Sequence, residues 1–129
     1  MKIEIIGNFK SIKNEEIVFL IDEITDKIKM PAEKSIEIVS VTNDEIRSLN
    51  KVHRNKDEVT DVLSFPIGET VGKESILGTI AISEDYSLEN HETVDQLIKH
   101  GFLHLVGHDH ENKPEEWLKA ANIINHEMY

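Results

Sequence analysis

The stretch from Val94 to Val106 leaves this chain few ways to fold. Val94, Leu97, Ile98, Phe102, Leu103, Leu105 and Val106 put apolar side chains on nearly every side of a predicted helix. That pattern belongs to a helix buried at the centre of a domain. Yet the helix also carries His100 and His104. Imidazoles four residues apart share one helical face, and two unpaired imidazoles are costly to bury in an apolar interior. A bound ion or a cleft resolves that cost. Gly101, between them, lets another element approach the helix backbone closely. Asn90 is the expected cap of this helix, which runs from about His91 to Val106 and stops at Gly107.

The remaining elements are read around this one. Ile3, Ile5 and Ile6 mark an opening strand within residues 1–9. Asn14 precedes two acids and is the expected cap of a helix whose Val18, Ile21, Ile24 and Ile28 recur at helical spacing until Pro31 stops it. Alternation over residues 35–42 predicts a strand. Thr42 and Glu45 then form a capping-box pattern for a short helix that turns Ile46 and Leu49 inward and ends near His53. Asn55 to Glu58 reads as a polar turn. Residues 59–65 form an apolar segment ended by Pro66, residues 68–74 a flexible loop, and residues 76–82 a strand broken at Gly78. A polar connector or helical turn covers residues 83–90, and Pro114 opens a final helix bearing Trp117, Leu118, Ala121 and Ile124. No repeat or linker interrupts the chain. The expected fold is a single α+β domain over residues 1–129, a mixed sheet packed with helices around a central histidine-bearing helix.

Composition narrows the chemistry. The 129 residues include no cysteine, so thiolate metal sites, disulfides and cysteine nucleophiles are excluded, and any metal must be held by His, Asp or Glu. No segment approaches the roughly 20 apolar residues of a membrane span. The opening MKIEIIGNFK has no apolar core long enough for a secretory signal, and the expected location is the cytoplasm. The net charge of -11 opposes a nonspecific nucleic-acid binder. A polyanionic substrate therefore needs a local basic patch, and the chain has only two arginines, Arg47 and Arg54.

The chemistry-bearing stretch is HGFLHLVGHDH, residues 100–110. Gly107 permits a sharp turn that returns His110 toward His100 and His104. Three neutral imidazoles plus water are the usual set of a catalytic zinc site with an open position, and they leave the ion able to activate that water near neutral pH. One Zn²⁺ per chain is expected. A lone histidine on an apolar helix is ordinarily a hydrogen-bonded core residue, but three at this spacing favour a ligand set. His108 and Asp109 are expected beside the site, Asp109 as an orienting group for a ligand ring. His53, His91 and His126 are expected to be ordinary surface residues. The spacing H-x3-H-x2-G-x2-H also matches the zinc-binding stretch of metzincin peptidases, which place a glutamate after the first histidine as general base. Here that position is Gly101, which cannot accept a proton.

Three segments, LNKVHRNKDEVTDVLSFP (residues 49–66), LGTIAIS (77–83) and HGFLHLVGHDHE (100–111), resemble the YbeY family of bacterial rRNA-maturation endoribonucleases. With the final helix they cover a little over half the chain. The resemblance implies a zincin-like α+β domain, a metal held by His100, His104 and His110, and a functionally required arginine at Arg54. It further implies zinc-dependent endonuclease activity on single-stranded RNA, in 16S rRNA 3'-end maturation and ribosome quality control. The implied partners are ribosomal RNA, the small ribosomal subunit and ribosome-assembly factors, with no membrane or DNA partner. The chain departs from residues common in the family at Thr79 (aspartate), His108 (tyrosine) and Trp117 (methionine). Thr79 is thereby a candidate for the surroundings of the ion or the cleft wall. Asp61 is a candidate general base, with turn hydrogen bonding as its ordinary alternative. Lys51 and Lys56 extend a basic strip beside Arg54, and Phe65 and Pro66 either line the cleft or pack in the core. A metal-dependent hydrolase of another class, such as a peptidase, and a noncatalytic assembly factor with a structural metal are the competing functions.

Overall fold

The computed structural model describes residues 1–30, 34–71 and 74–127. Four strands, β1 (Lys2–Ile6), β2 (Lys34–Ser40), β3 (Val62–Val71) and β4 (Glu74–Ile82), form one sheet in the order β1-β2-β4-β3. β1, β2 and β4 run parallel, and β3 pairs antiparallel to β4 at the edge. Five helices accompany them: α1 (Asn14–Lys27), α2 (Asn43–Arg54), α3 (Glu84–Glu89), α4 (Val94–Leu105) and α5 (Pro114–Ile123). The expected α+β class and mixed sheet are therefore present. Among the described residues no helix is long and apolar enough to cross a membrane.

Local signals behave as their chemistry predicts. The Thr42 hydroxyl accepts from Glu45 N–H at 3.1 Å, and the Glu45 carboxylate accepts from Thr42 N–H at 3.1 Å, so the capping box opens α2. Pro114 sits in the first turn of α5. Gly107, at φ +95°, carries the chain out of α4.

Other boundaries differ, each for a tertiary or capping reason. Lys13, not Asn14, is the residue before α1, and the Glu16 carboxylate accepts its N–H at 3.2 Å. α1 ends at Lys27, before Lys29 turns left-handed at φ +56°, and Pro31 lies outside the described residues. Asn90 closes α3 instead of opening α4: its side-chain amide donates to Tyr86 O at 2.8 Å. Thr93 precedes α4, which begins at Val94. Pro66 does not end β3. The strand lies at the sheet's edge, where a missing N–H is tolerated, and its register shifts between Pro66 and Glu69. The expected loop at 68–74 is instead the meeting of β3 and β4, with residues 72 and 73 outside the described set. Gly78 likewise sits inside β4 at an irregularity, with φ +147°, and a Cβ there would collide with the Phe65 carbonyl oxygen.

One face of the sheet carries the core. Ile17, Ile21 and Ile24 of α1, Ile36 and Ile38 of β2, and Ile80 and Ile82 of β4 enclose Leu97, Ile98, Phe102 and Leu103 of α4, with Trp117, Ala121 and Ile124 closing the far side. Leu49 is only half-buried, and Asn50 takes the inward position beside Ile46, where its amide donates to Glu58 O at 3.0 Å. Glu84 is a buried acid held by backbone: its carboxylate accepts from Lys10 N–H at 2.7 Å and Ser11 N–H at 2.8 Å. Burial raises its pKa, but those bonds outweigh burial and hold it below its usual value.

α4 meets the sheet at Gly101. A Cβ there would stand 2.8 Å from Ile80 Cγ2 and 3.0 Å from Ser64 Oγ. The Ser64 hydroxyl donates to Gly101 O at 3.2 Å across the same seam. Gly101→Ala should therefore destabilise the fold. Overpacking of about 1–3 kcal/mol outweighs the roughly 1 kcal/mol that alanine gains in helix propensity. Urea unfolding followed by circular dichroism should show a lower midpoint. An equal or higher midpoint would mean that Ile80 and Ser64 yield freely.

Candidate metal centre

α4 presents His100 and His104 from successive turns of one face. The turn after Gly107 then brings back His110. Asp109 shapes that return: its carboxylate accepts from Glu111 N–H at 2.9 Å, Asn112 N–H at 3.4 Å and Asn112 Nδ2 at 2.7 Å. The three ring centroids lie 4.9, 5.4 and 5.5 Å apart. One nitrogen from each ring falls within 4.8 Å of the others, forming a group able to hold a metal ion. Zinc binds imidazole nitrogen at about 2.0–2.1 Å, which sets tetrahedral neighbours about 3.3 Å apart. Three imidazole nitrogens in one group are donors of the kind zinc takes, so the donor set fits it in chemistry.

Trp117 of α5 forms the floor, with its ring centroid 4.9, 5.0 and 5.1 Å from those of His100, His104 and His110. It is 1% exposed, and its Nε1 has no hydrogen-bond partner among the described residues. Behind it lies a fourth imidazole. His126, expected at the surface, is only 4% exposed. Its Nε2 is 3.2 Å from His100 Nδ1, and its Nδ1 is 3.0 Å from Gln96 Oε1. Neither His126 nor Gln96 carries a local signal of this contact, because they lie 26 and 30 residues from their partners.

A cleft of about 420 Å³ opens over the histidines, lined by Arg54, Thr60, Asp61, Val62, Ser64, His100, His104, Asp109, His110 and Glu111. Arg54 arrives from the last turn of α2. The preceding His53 packs its ring 4.9 Å from Phe65, and Asn55 ends the helix in a left-handed conformation. Phe65 thus packs against α2. Of the two acids in the following turn, Asp57 pairs elsewhere: Arg47 Nε donates to Asp57 Oδ1 at 2.8 Å. Among the described residues, no hydrogen bond or ion pair engages the Arg54 guanidinium. Asp61 Oδ1 accepts from Val62 N–H at 2.7 Å and from the Thr60 hydroxyl at 3.3 Å. Glu92, unmarked in the sequence, has its pKa pushed up to about 7 by burial and by the neighbouring Asp61 carboxylate.

Two expected neighbours are elsewhere. Thr79 points away from α4, because Ile80 takes the core side and side chains alternate along β4. Its hydroxyl donates to Glu37 Oε1 at 3.2 Å on the sheet's other face, beside Lys2 and Glu4. His108 turns from the cleft toward Lys27, Lys29 and Lys119. Asp109 does line the cleft, but its bonds hold the loop and none goes to a ligand ring. Burial, reinforced by the neighbouring His104, His126 and His110, lowers the His100 pKa to about 4. Burial and then Lys99 lower His126 to about 4. Burial, His110 and Arg54 lower His104 as well. Near neutral pH these rings are uncharged, the form that ligates metal.

The same shifts predict acid sensitivity. Unfolded imidazoles titrate near ~6.5, whereas folded His100 and His126 titrate at about 4. Between those values the unfolded chain binds more protons, so stability is full above the unfolded pKa and falls as pH drops toward the folded one. Calorimetry on metal-free protein should give a lower Tm near pH 5 than near pH 7. An unchanged Tm would mean that the rings take up protons in place.

Comparison with known proteins identifies the family. The family described as Endoribonuclease YbeY matches residues 3–123. The Endoribonuclease YbeY of Aquifex aeolicus is 41% identical over 121 residues, covering 78% of this chain and 79% of that protein. That of Aliarcobacter butzleri is 44% identical over 100 residues, covering 70% and 71%. A Thermotoga maritima protein solved in solution superposes with a TM-score of 0.59 at 27% identity, covering 96% of this chain and 87% of that one. A family match across nearly the whole chain, together with relatives above 40% identity, leads to one conclusion: the chain belongs to the YbeY endoribonuclease family.

Proposed function

We propose that this protein is a zinc-dependent endonuclease of single-stranded RNA, acting in 16S rRNA 3'-end maturation and ribosome quality control in the cytoplasm. Its partners in this reading are the small ribosomal subunit and ribosome-assembly factors. One observation carries the proposal: a guanidinium that no described residue hydrogen-bonds or pairs with faces the same cleft as three histidines able to hold a metal ion. Arginine's planar fork suits a phosphodiester, and Lys51 and Lys56 are exposed beside it. This local patch acts against the chain's overall charge of -11.

His100, His104 and His110 would hold the ion. Zinc bound there supplies Lewis acidity toward a phosphoryl oxygen and makes a nucleophile accessible near neutral pH. Arg54 binds and neutralises the phosphate. Asp61, at the cleft wall, takes the proton-acceptor role, its carboxylate oriented by Val62 N–H and the Thr60 hydroxyl. The peptidase alternative loses support from the helix–sheet seam. That chemistry wants a glutamate at position 101, and Ile80 and Ser64 leave no room for a side chain there.

The test compares wild type, His104→Ala and Arg54→Ala by metal analysis and by cleavage of a single-stranded RNA. Trp117, the single tryptophan, reports zinc binding through its emission. His104→Ala should lose both metal and cleavage. Arg54→Ala should keep its metal and lose roughly 100-fold in kcat/KM, about 2.7 kcal/mol of transition-state stabilisation. Equal cleavage by all three preparations would identify a contaminating nuclease and overturn the assignment. Products ending in 2',3'-cyclic phosphate would replace direct water attack with attack by the RNA 2'-hydroxyl.

A further inference from the structure

We propose that His126 is a positioning residue of the metal centre, holding His100 in the tautomer that leaves its Nε2 free for the ion. This inference rests on the reading of His100 as a ligand. It follows from a chain of hydrogen bonds whose direction is set at its far end. Gln96 Oε1 accepts the backbone N–H of Glu127 at 2.9 Å. Only the amide oxygen can do so, which fixes the orientation of the Gln96 side chain. The atom 3.0 Å from His126 Nδ1 is therefore an acceptor, and Nδ1 must carry the proton. None of the hydrogen-bond partners of the buried His126 ring is a carboxylate. Neutral His126 then has its lone pair on Nε2, 3.2 Å from His100 Nδ1. That lone pair requires a proton on His100 Nδ1, and His100 Nε2 is left as the ligand atom.

The far end is anchored independently of any ion. Ile124 is buried, Lys99 Nζ donates to Asn125 O at 3.0 Å, and His126 N–H donates to Ala121 O at 2.8 Å. His126 thus has a fixed place, and its pull on the His100 ring is built before metal arrives. Outer hydrogen bonds of this kind hold a ligand ring's tautomer and orientation, and removing them typically lowers metal affinity about 10–100-fold.

The experiment has two readouts. In metal-free protein, long-range ¹H–¹⁵N spectra should show His100 protonated on Nδ1 in wild type, and as a mixture of tautomers in His126→Leu. Zinc affinity, measured by competition with a chromophoric chelator, should fall about 10–100-fold in His126→Leu. It should recover largely in His126→Gln, whose amide oxygen can still accept. Gln96→Leu, which leaves His126 in the chain, should weaken zinc binding in the same direction if His126→Leu fails to fold. A wild-type His100 protonated on Nε2 would overturn the proposal. So would zinc binding that is lost in His104→Ala but unchanged in His126→Leu or in Gln96→Leu. Absence of zinc binding by wild type would instead bring down the metal-centre reading itself, and this inference with it.

Discussion

The structure depends on burying a helix that is not wholly apolar. α4 lies between the sheet and the outer helices, and its two sides meet opposite demands. Toward the sheet it must come close, which Gly101 allows and the Ser64 hydroxyl bond reinforces. Beside that seam, in a cleft shared with Val62 and Ser64 of β3, it carries two imidazoles, each with polar nitrogens that an apolar interior would leave unpaired. Trp117, His110 and His126 meet that second demand by surrounding the rings with matched aromatic edges and one hydrogen-bonded partner. The histidine cluster is thus the polar half of the core, built on the same helix that holds the apolar half together.

Several of the chain's acids have local partners that orient them without removing their charge, and three acids, Asp61, Asp109 and Glu111, line the cleft together with Arg54. Asp109 is absorbed by the backbone N–H groups of its own turn, Glu84 by those of Lys10 and Ser11, and Asp57 by Arg47. Arg54, at the edge of the histidine cluster, has no such partner among the described residues.

Interactions spanning a few residues were legible in the sequence. The Thr42–Glu45 box, the Pro114 helix start, the turn at Gly107 and the shared face of His100 and His104 are all set within four residues or so. Misreadings occurred where meaning depends on a distant neighbour. Pro66 looks like a terminator until β3 is known to be an edge strand. Asn90 has capping chemistry for either of two adjacent helices, and its amide reaches back to Tyr86. Thr79 is close in sequence to core residues but on the opposite side of the pleat, bonded to Glu37.

His100, His104 and His110 were therefore named by sequence alone as a set with ligand spacing, because helical periodicity and one glycine turn determine how such rings converge. The motifs also pointed to the family that the comparisons then established. Tertiary structure alone decided what surrounds the set. It brought Arg54 over the cleft, sent Thr79 and His108 elsewhere, and buried His126 against His100 from 26 residues away. The physical reason is range. A hydrogen bond or a ring contact acts over a few ångströms, so chain spacing predicts it only where local geometry fixes the distance, and beyond that only the packing of helices on the sheet can.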